Sequence, residues 1–160
     1  MFEYLASLST RYPVLADVNW WQGIFIALLV VAIMEVVAIV SHKYVMHGFM
    51  WVWHESHHKP RKGRLELNDL FGFMFAIPSA WLIILGAASY DWRFFAGLGI
   101  ALYGVAYFLV HDVFVHQRIK WLRGARLRYF KAMRQTHHLH HAVHTKEGAE
   151  AFGFLFVPKM

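Results

Sequence analysis

Residues 41–60 read SHKYVMHGFMWVWHESHHKP, and this stretch sets five histidines, His42, His47, His54, His57 and His58, at the end of a long apolar run. Two later stretches echo it. HDVFVH carries His111 and His116, and HHLHHAVH carries His137, His138, His140, His141 and His144. These three clusters take in all 12 histidines of the chain. An incidental histidine population would be scattered, so the clustering points to imidazoles gathered at one centre. Neutral imidazole suits zinc, copper, iron and nickel. A structural zinc needs only four ligands in all, so nitrogens in this number fit two metal ions better than one.

Outward from the histidines the chain is apolar. Hydrophobic residues make up 58% of its 160 residues and charged ones 16%, whereas soluble domains are nearer half apolar and a quarter charged. The length is that of one domain, 1–160, with no linker, repeat or low-complexity segment. Residues 20–41, 71–90 and 94–110 form three runs suited to crossing a hydrocarbon core, which takes about 20 apolar residues in a helix. Pro78 is placed to kink the second. The expected fold is therefore all-α, an integral membrane bundle of three to four helices with a histidine-rich cap over residues 111–160. Within that cap, the spacing over residues 121–144 predicts an interfacial or cytoplasmic helix. The tail AFGFLFVPKM packs back on the helices or lies in the interface. The N-terminal residues lack the pattern of a secretory signal, so insertion is expected from the internal runs. With no cysteine, disulfides, iron–sulfur clusters and thiolate-held metals are excluded.

Positive charge sorts the loops. Lys43, Lys59, Arg61, Lys62 and Arg64 follow the first run, and eight Lys/Arg from Arg118 to Lys146 follow the third. Arg11 alone precedes the first run, and Arg93 lies between the second and third. Lys/Arg-rich short loops stay cytoplasmic. The expected topology puts the N-terminus in the periplasm and the C-terminus and all histidine clusters on the cytoplasmic side of the inner membrane. No histidine entered that deduction, yet it gathers every cluster on one side. The Lys/Arg run from Arg118 to Arg134 then reads as an anchor for anionic headgroups, with docking of an acidic electron donor as a second use, and the net charge of +6 not as a nucleic-acid surface.

Spacing refines the site. On an α-helix, residues at i, i+3 and i+4 share a face, so His54, His57 and His58 point one way, as do His137, His140 and His141. His47 joins the former if the helix continues through Gly48. The pairs His42/His47 and His111/His116 diverge by roughly 140° on a regular helix. Either their members serve different metals, or the helix is locally widened. His54, Glu55 and His58 also satisfy H-E-x-x-H, the pattern of a zinc protease with Glu55 as base, but that reading leaves most histidines without a role. The carboxylate-rich diiron arrangement needs two E-x-x-H motifs and two further glutamates, and only Glu55 to His58 matches. Glu35, an ionisable group inside a span, is placed to bond an imidazole, to line a substrate cavity or to satisfy a neighbouring helix. Asp69 and Asp112 are candidate acceptors that fix a ligand's tautomer.

HKYVMH, HESHH, HDVFVH and HHLHH together give H-x4-H, H-x2-H-H, H-x4-H and H-x2-H-H in order. This resembles the bacterial β-carotene hydroxylases of the fatty acid hydroxylase superfamily, as do LNDLF and KEGAEAFGFLFVP. The resemblance covers roughly residues 35–158. It implies metal ligands at His42, His47, His54, His57, His58, His111, His116, His137, His140 and His141, leaving His138 and His144 outside, although His144 shares a face with His137 and His141. It further implies two non-haem iron ions, O2 as co-substrate, and electrons from ferredoxin through a reductase. The implied reaction is hydroxylation of C3 on the β-ionone rings of β-carotene, giving β-cryptoxanthin and zeaxanthin. A substrate dissolved in the bilayer would reach the metals through a slot lined by groups such as Phe49, Trp53, Phe71, Phe75, Tyr103, Tyr107 and Phe108. The alternatives are another oxygenase of the superfamily (a carotenoid ketolase, a sterol or fatty acyl hydroxylase), a membrane metalloprotease, or a metal-binding transport protein.

Overall fold

The computed structural model describes residues 18–60, 63, 65–119 and 128–156. The described residues are helical, with no strand among them. Helix α1 is Trp20–Val40 and runs on into a π-helical stretch, Ser41–Phe49; α2 is Trp51–His58. A single 3-10 turn, Leu67–Asp69, leads into α3, Leu70–Gly86. Helix α4, Trp92–Tyr107, continues into a second π-helical stretch, Phe108–Val115, and α5 is Arg128–Ala142.

Three helical segments, Trp20–Phe49, Leu67–Gly86 and Trp92–Val115, are long and apolar enough to cross a membrane. The expected spans are all present, with shifted ends. The first and third run on through their histidine pairs. The second stops at Gly86, because the following residues form a turn in which Tyr90 takes a left-handed φ of 52°. Helix α3 passes through Pro78 without interruption. Of the helix expected over residues 121–144, Arg128–Ala142 is observed, and residues 121–127 lie outside the described residues.

The chain packs as two compact units. One draws on the described residues within 1–34 and 73–104, the other on those within 35–72 and 105–160. In the first unit, Asn19 and Gln22 cap α1 reciprocally, each side-chain oxygen accepting the other's backbone N–H at 3.0 and 3.1 Å, which satisfies two otherwise orphaned donors. Asp91 does the same for α4 by accepting the Arg93 N–H at 2.9 Å. Helices then approach through glycine. A Cβ on Gly97 would lie 2.7 Å from the Ser79 carbonyl oxygen, and one on Gly99 would lie 2.6 Å from that of Ala27. Small residues at such crossings are what apolar helices use to pack in lipid, where burial between helices supplies little drive.

The second unit carries every histidine. Its apolar core is Phe114, Val115 and Met133, with Val110 and Phe130 against it, and this clamps α5 to the second π-helical stretch. Arg134 adds a cation–π contact, its guanidinium 4.5 Å from the centre of the Phe114 ring. Residues 154–156 of the tail pack back, as one of the two expectations had it, and residues 157–160 lie outside the described residues. One carboxyl oxygen of Glu35 accepts the backbone N–H groups of Phe154, Leu155 and Phe156 at 2.9 to 3.1 Å, and the Tyr129 hydroxyl donates to the Leu155 carbonyl.

Candidate metal centre

A π-helix closes its hydrogen bonds from i to i+5, and that is the spacing of the two H-x4-H pairs. Such bonds run from the Met50 N–H to the Val45 carbonyl at 3.0 Å and from the His116 N–H to the His111 carbonyl at 2.9 Å. Widening the turn brings residues five apart onto nearly one face. Of the two possibilities left open by spacing, the widened helix is the one observed. The first stretch breaks at Gly48 (φ −104°, ψ −125°), so the helix does not continue through that residue, and the bend turns α2 back so that His54 and His58 face His47.

The ten histidines come together in two groups of five. His42, His47, His54, His58 and His140 form the first, and His57, His111, His116, His137 and His141 the second; within each group one nitrogen per ring lies within 4.8 Å of all the others. Each H-x4-H pair enters a single group. Each H-x2-H-H motif is divided, because i+3 departs from i and i+4 far enough to reach across. On α2, His54 and His58 go to the first group and His57 to the second; on α5 the assignment is reversed. The shared faces expected for His54/His57/His58 and His137/His140/His141 are therefore split between two centres. The groups adjoin, with the His58 and His141 rings stacked at 4.4 Å.

Inside each group the Nε2 atoms face one another. His42 and His54 are 3.0 Å apart, His54 and His58 3.2 Å, and His47 and His140 3.2 Å. In the second group His57 and His111 are 3.2 Å apart and His116 and His137 2.8 Å. Two nitrogens bound at right angles to an ion with bonds of about 2.1 Å stand about 3 Å apart, so these separations match the edges of a coordination polyhedron. His141 Nε2 is buried without a hydrogen-bond partner. An all-imidazole, sulfur-free donor set of this kind fits a divalent first-row metal.

Protonation agrees with ligation. Burial, reinforced by the neighbouring imidazoles, pushes His54 down to about 3 and His58 and His140 to about 4. The same causes hold His57, His137 and His141 far below the ordinary histidine range. All six are neutral near pH 7, the form in which imidazole binds metal.

Six of the ten rings are tethered at Nδ1. In the first group, backbone carbonyls accept from four rings: Phe152 from His42, Lys146 from His47, Val143 from His58 and Glu150 from His140, at 2.7 to 3.0 Å. Asn68 Oδ1 accepts from His54 at 2.7 Å. In the second group, Glu66 accepts from His57 at 2.9 Å, and Asp112 Oδ2 lies 3.7 Å from His111 Nδ1.

The remaining candidates fall as follows. Asp112 thus stands beside a ring, whereas Asp69 pairs with Arg118 at 2.7 Å and accepts the Glu66 N–H. Glu35 anchors the tail. His138 and His144 are exposed. Glu55 pairs with Lys59 at 2.8 Å on the surface, away from the position a protease base requires. Tyr107 stacks on His111 at 4.6 Å, Trp53 packs edge-on against Phe71, and Phe49 is exposed. A small cavity adjoins the second group, lined by His111, His137, Val115, Met133, Thr136 and Phe154. Sequence reasoning missed Asn68, Glu66 and Thr136, and took Arg118 for a headgroup anchor. Its guanidinium is instead largely buried among carboxylates. The LNDLF string, noted for its resemblance, was the one available signal for Asn68.

The sequence model of the fatty acid hydroxylase family matches residues 27–158. A β-carotene hydroxylase of Pantoea ananas is 44% identical over 140 residues, covering 88% of this chain and 79% of that protein. One of Pseudescherichia vulneris is 47% identical over 134 residues, covering 84% and 76%. A chloroplastic β-carotene hydroxylase of Capsicum annuum is 38% identical over 130 residues, covering 79% of this chain and 41% of its own length. No solved structure matches the chain.

Proposed function

The chain belongs to the fatty acid hydroxylase family, and from that premise we propose that it is a membrane diiron monooxygenase that hydroxylates C3 of the β-ionone rings of β-carotene, yielding β-cryptoxanthin and then zeaxanthin. The observation that carries the reading is the pair of five-histidine groups, set side by side, with the H-x4-H pairs at the ends of apolar helices and the H-x2-H-H motifs on α2 and α5. The ten histidines are proposed as the iron ligands.

An unactivated ring C–H yields only to an oxidant that side chains cannot supply, and bound iron would provide that chemistry from O2. The protein's own part is to hold neutral imidazoles at fixed angles, through the carbonyl, amide and carboxyl acceptors on their Nδ1 atoms. Burial of the rings keeps bulk water from the reacting position. The ring end of the substrate is proposed to approach the second group by way of Tyr107, Phe154 and the adjoining cavity, with the polyene in the apolar phase. Electrons are assigned to ferredoxin and its reductase. The site would face the cytoplasmic side of the inner membrane, in keeping with the Lys/Arg distribution of the loops.

The test is pigment chromatography of β-carotene-accumulating cells expressing the wild type or His57→Ala, at matched protein levels. Zeaxanthin from the wild type and unchanged β-carotene from the variant are expected. A 4-keto product would move the chain to ketolation, and untouched β-carotene in the wild type, with donor supplied, would remove the substrate.

A further inference from the structure

We infer that Arg118 is a positioning residue that makes the two histidine groups unequal, by holding the Glu66 carboxylate on the outer nitrogen of His57 and the Asp112 carboxylate near His111. The inference rests on reading both groups as metal sites. In the first group every observed Nδ1 partner is an uncharged oxygen, four backbone carbonyls and the Asn68 amide. In the second, Glu66 Oε2 lies 2.9 Å from His57 Nδ1 and Asp112 Oδ2 lies 3.7 Å from His111 Nδ1. A carboxylate on the far nitrogen makes a ligating imidazole a stronger donor.

Those carboxylates repel one another and Asp69 beside them, and little water reaches them, with Glu66 and Asp112 at 10% and 11% side-chain exposure. One guanidinium compensates all three. Arg118 Nη2 is 3.2 Å from Glu66, Nη1 2.7 Å from Asp69 and Nε 3.1 Å from Asp112. The planar guanidinium donates to Asp69 and stands at ion-pair distance from Glu66 and Asp112, a spread that an ammonium point charge does not reproduce. Local backbone delivers it: Gln117 takes a left-handed φ of 51°, turning the chain so that the Arg118 N–H bonds the Asp112 carbonyl at 2.9 Å.

The test loads the full-length protein, in detergent micelles, with cobalt(II) alone, and follows metal content and the cobalt absorption bands during competition with a chelator. The wild type is expected to hold two equivalents and to release them in two phases. Glu66→Gln keeps an acceptor oxygen for His57 and removes only the charge. It should weaken one equivalent by about 10–100-fold, the usual cost of losing such a partner, and leave the other unchanged. Arg118→Gln should weaken the same equivalent, and Asn68→Ala the other one. A merely structural role for Arg118 would instead loosen both together. Equal weakening of both equivalents in Glu66→Gln, or no change in either, overturns the inference while leaving the metal sites standing. A wild type that holds fewer than two equivalents removes both.

Discussion

At the scale of single residues, what separates the ten proposed ligand histidines from His138 and His144 is burial, complete for eight rings and partial for His116 and His141. His140 is 1% exposed, with Nε2 against His47 and Nδ1 on the Glu150 carbonyl, whereas its neighbour His138, two positions away on the same helix, is exposed. His140→Ala is therefore expected to lower hydroxylated product by more than about 100-fold, beyond the cost of losing a tether alone, while His138→Ala stays within about twofold of the wild type. Product chromatography at matched expression checks the contrast, and equal effects of the two would undo the assignment of His140. Imidazoles are legible in a sequence because ligation needs that residue type at helical spacing. Their partners are not. Glu66 and Arg118 are single charged residues with no periodic signature, brought together by the fold across 52 positions of sequence. The carbonyls of residues 143–152 carry no side-chain identity at all.

At the scale of elements, the H-x4-H pairs show why one spacing admitted two readings. Five residues bridge one hydrogen-bonded turn of a π-helix but miss the face of an α-helix, and nothing in HKYVMH or HDVFVH announces the wider turn. The tail is the second such element. The Phe152 carbonyl in it holds the His42 ring, those of Val143, Lys146 and Glu150 just before it hold three more rings of the first group, and Glu35 holds the tail through the N–H groups of residues 154–156. Gly153 permits that turn, since a Cβ there would meet the Phe156 carbonyl oxygen at 2.7 Å and Glu35 Oε1 at 3.3 Å. Glu35→Ala leaves three backbone donors without an acceptor. At about 1 kcal/mol or more for each lost bond, it is expected to destabilise the second unit on the order of 3 kcal/mol and to release first-group metal ahead of second-group metal. Glu35→Gln, which keeps one acceptor oxygen, should fall between. Thermal unfolding and metal content in detergent measure both, and a Glu35→Ala protein with unaltered stability would show that the tail holds its place without this residue.

At the scale of the whole molecule, the three spans were readable from hydropathy, and their displaced ends have local causes: the π-helical continuations past Val40 and Tyr107, and the turn after Gly86. Orientation is a separate quantity, fixed by charge. Lys59, Arg61, Lys62 and Arg64 follow the first span before the second begins, against the single Arg93 between the second and third. Positive loops resist translocation, so the turn at 87–90 is expected in the periplasm and the segment after α5 in the cytoplasm. The chain contains no cysteine, and single substitutions can therefore be labelled without background. Ala88→Cys and Glu147→Cys both fall at exposed positions. A membrane-impermeant maleimide added to intact spheroplasts should label Ala88→Cys at least several-fold faster than Glu147→Cys, and inside-out vesicles should reverse the order. The opposite pattern would place the histidine groups at the periplasmic face, beyond direct reach of a cytoplasmic iron–sulfur donor, and the electron route would then have to be redrawn even with the ring chemistry intact.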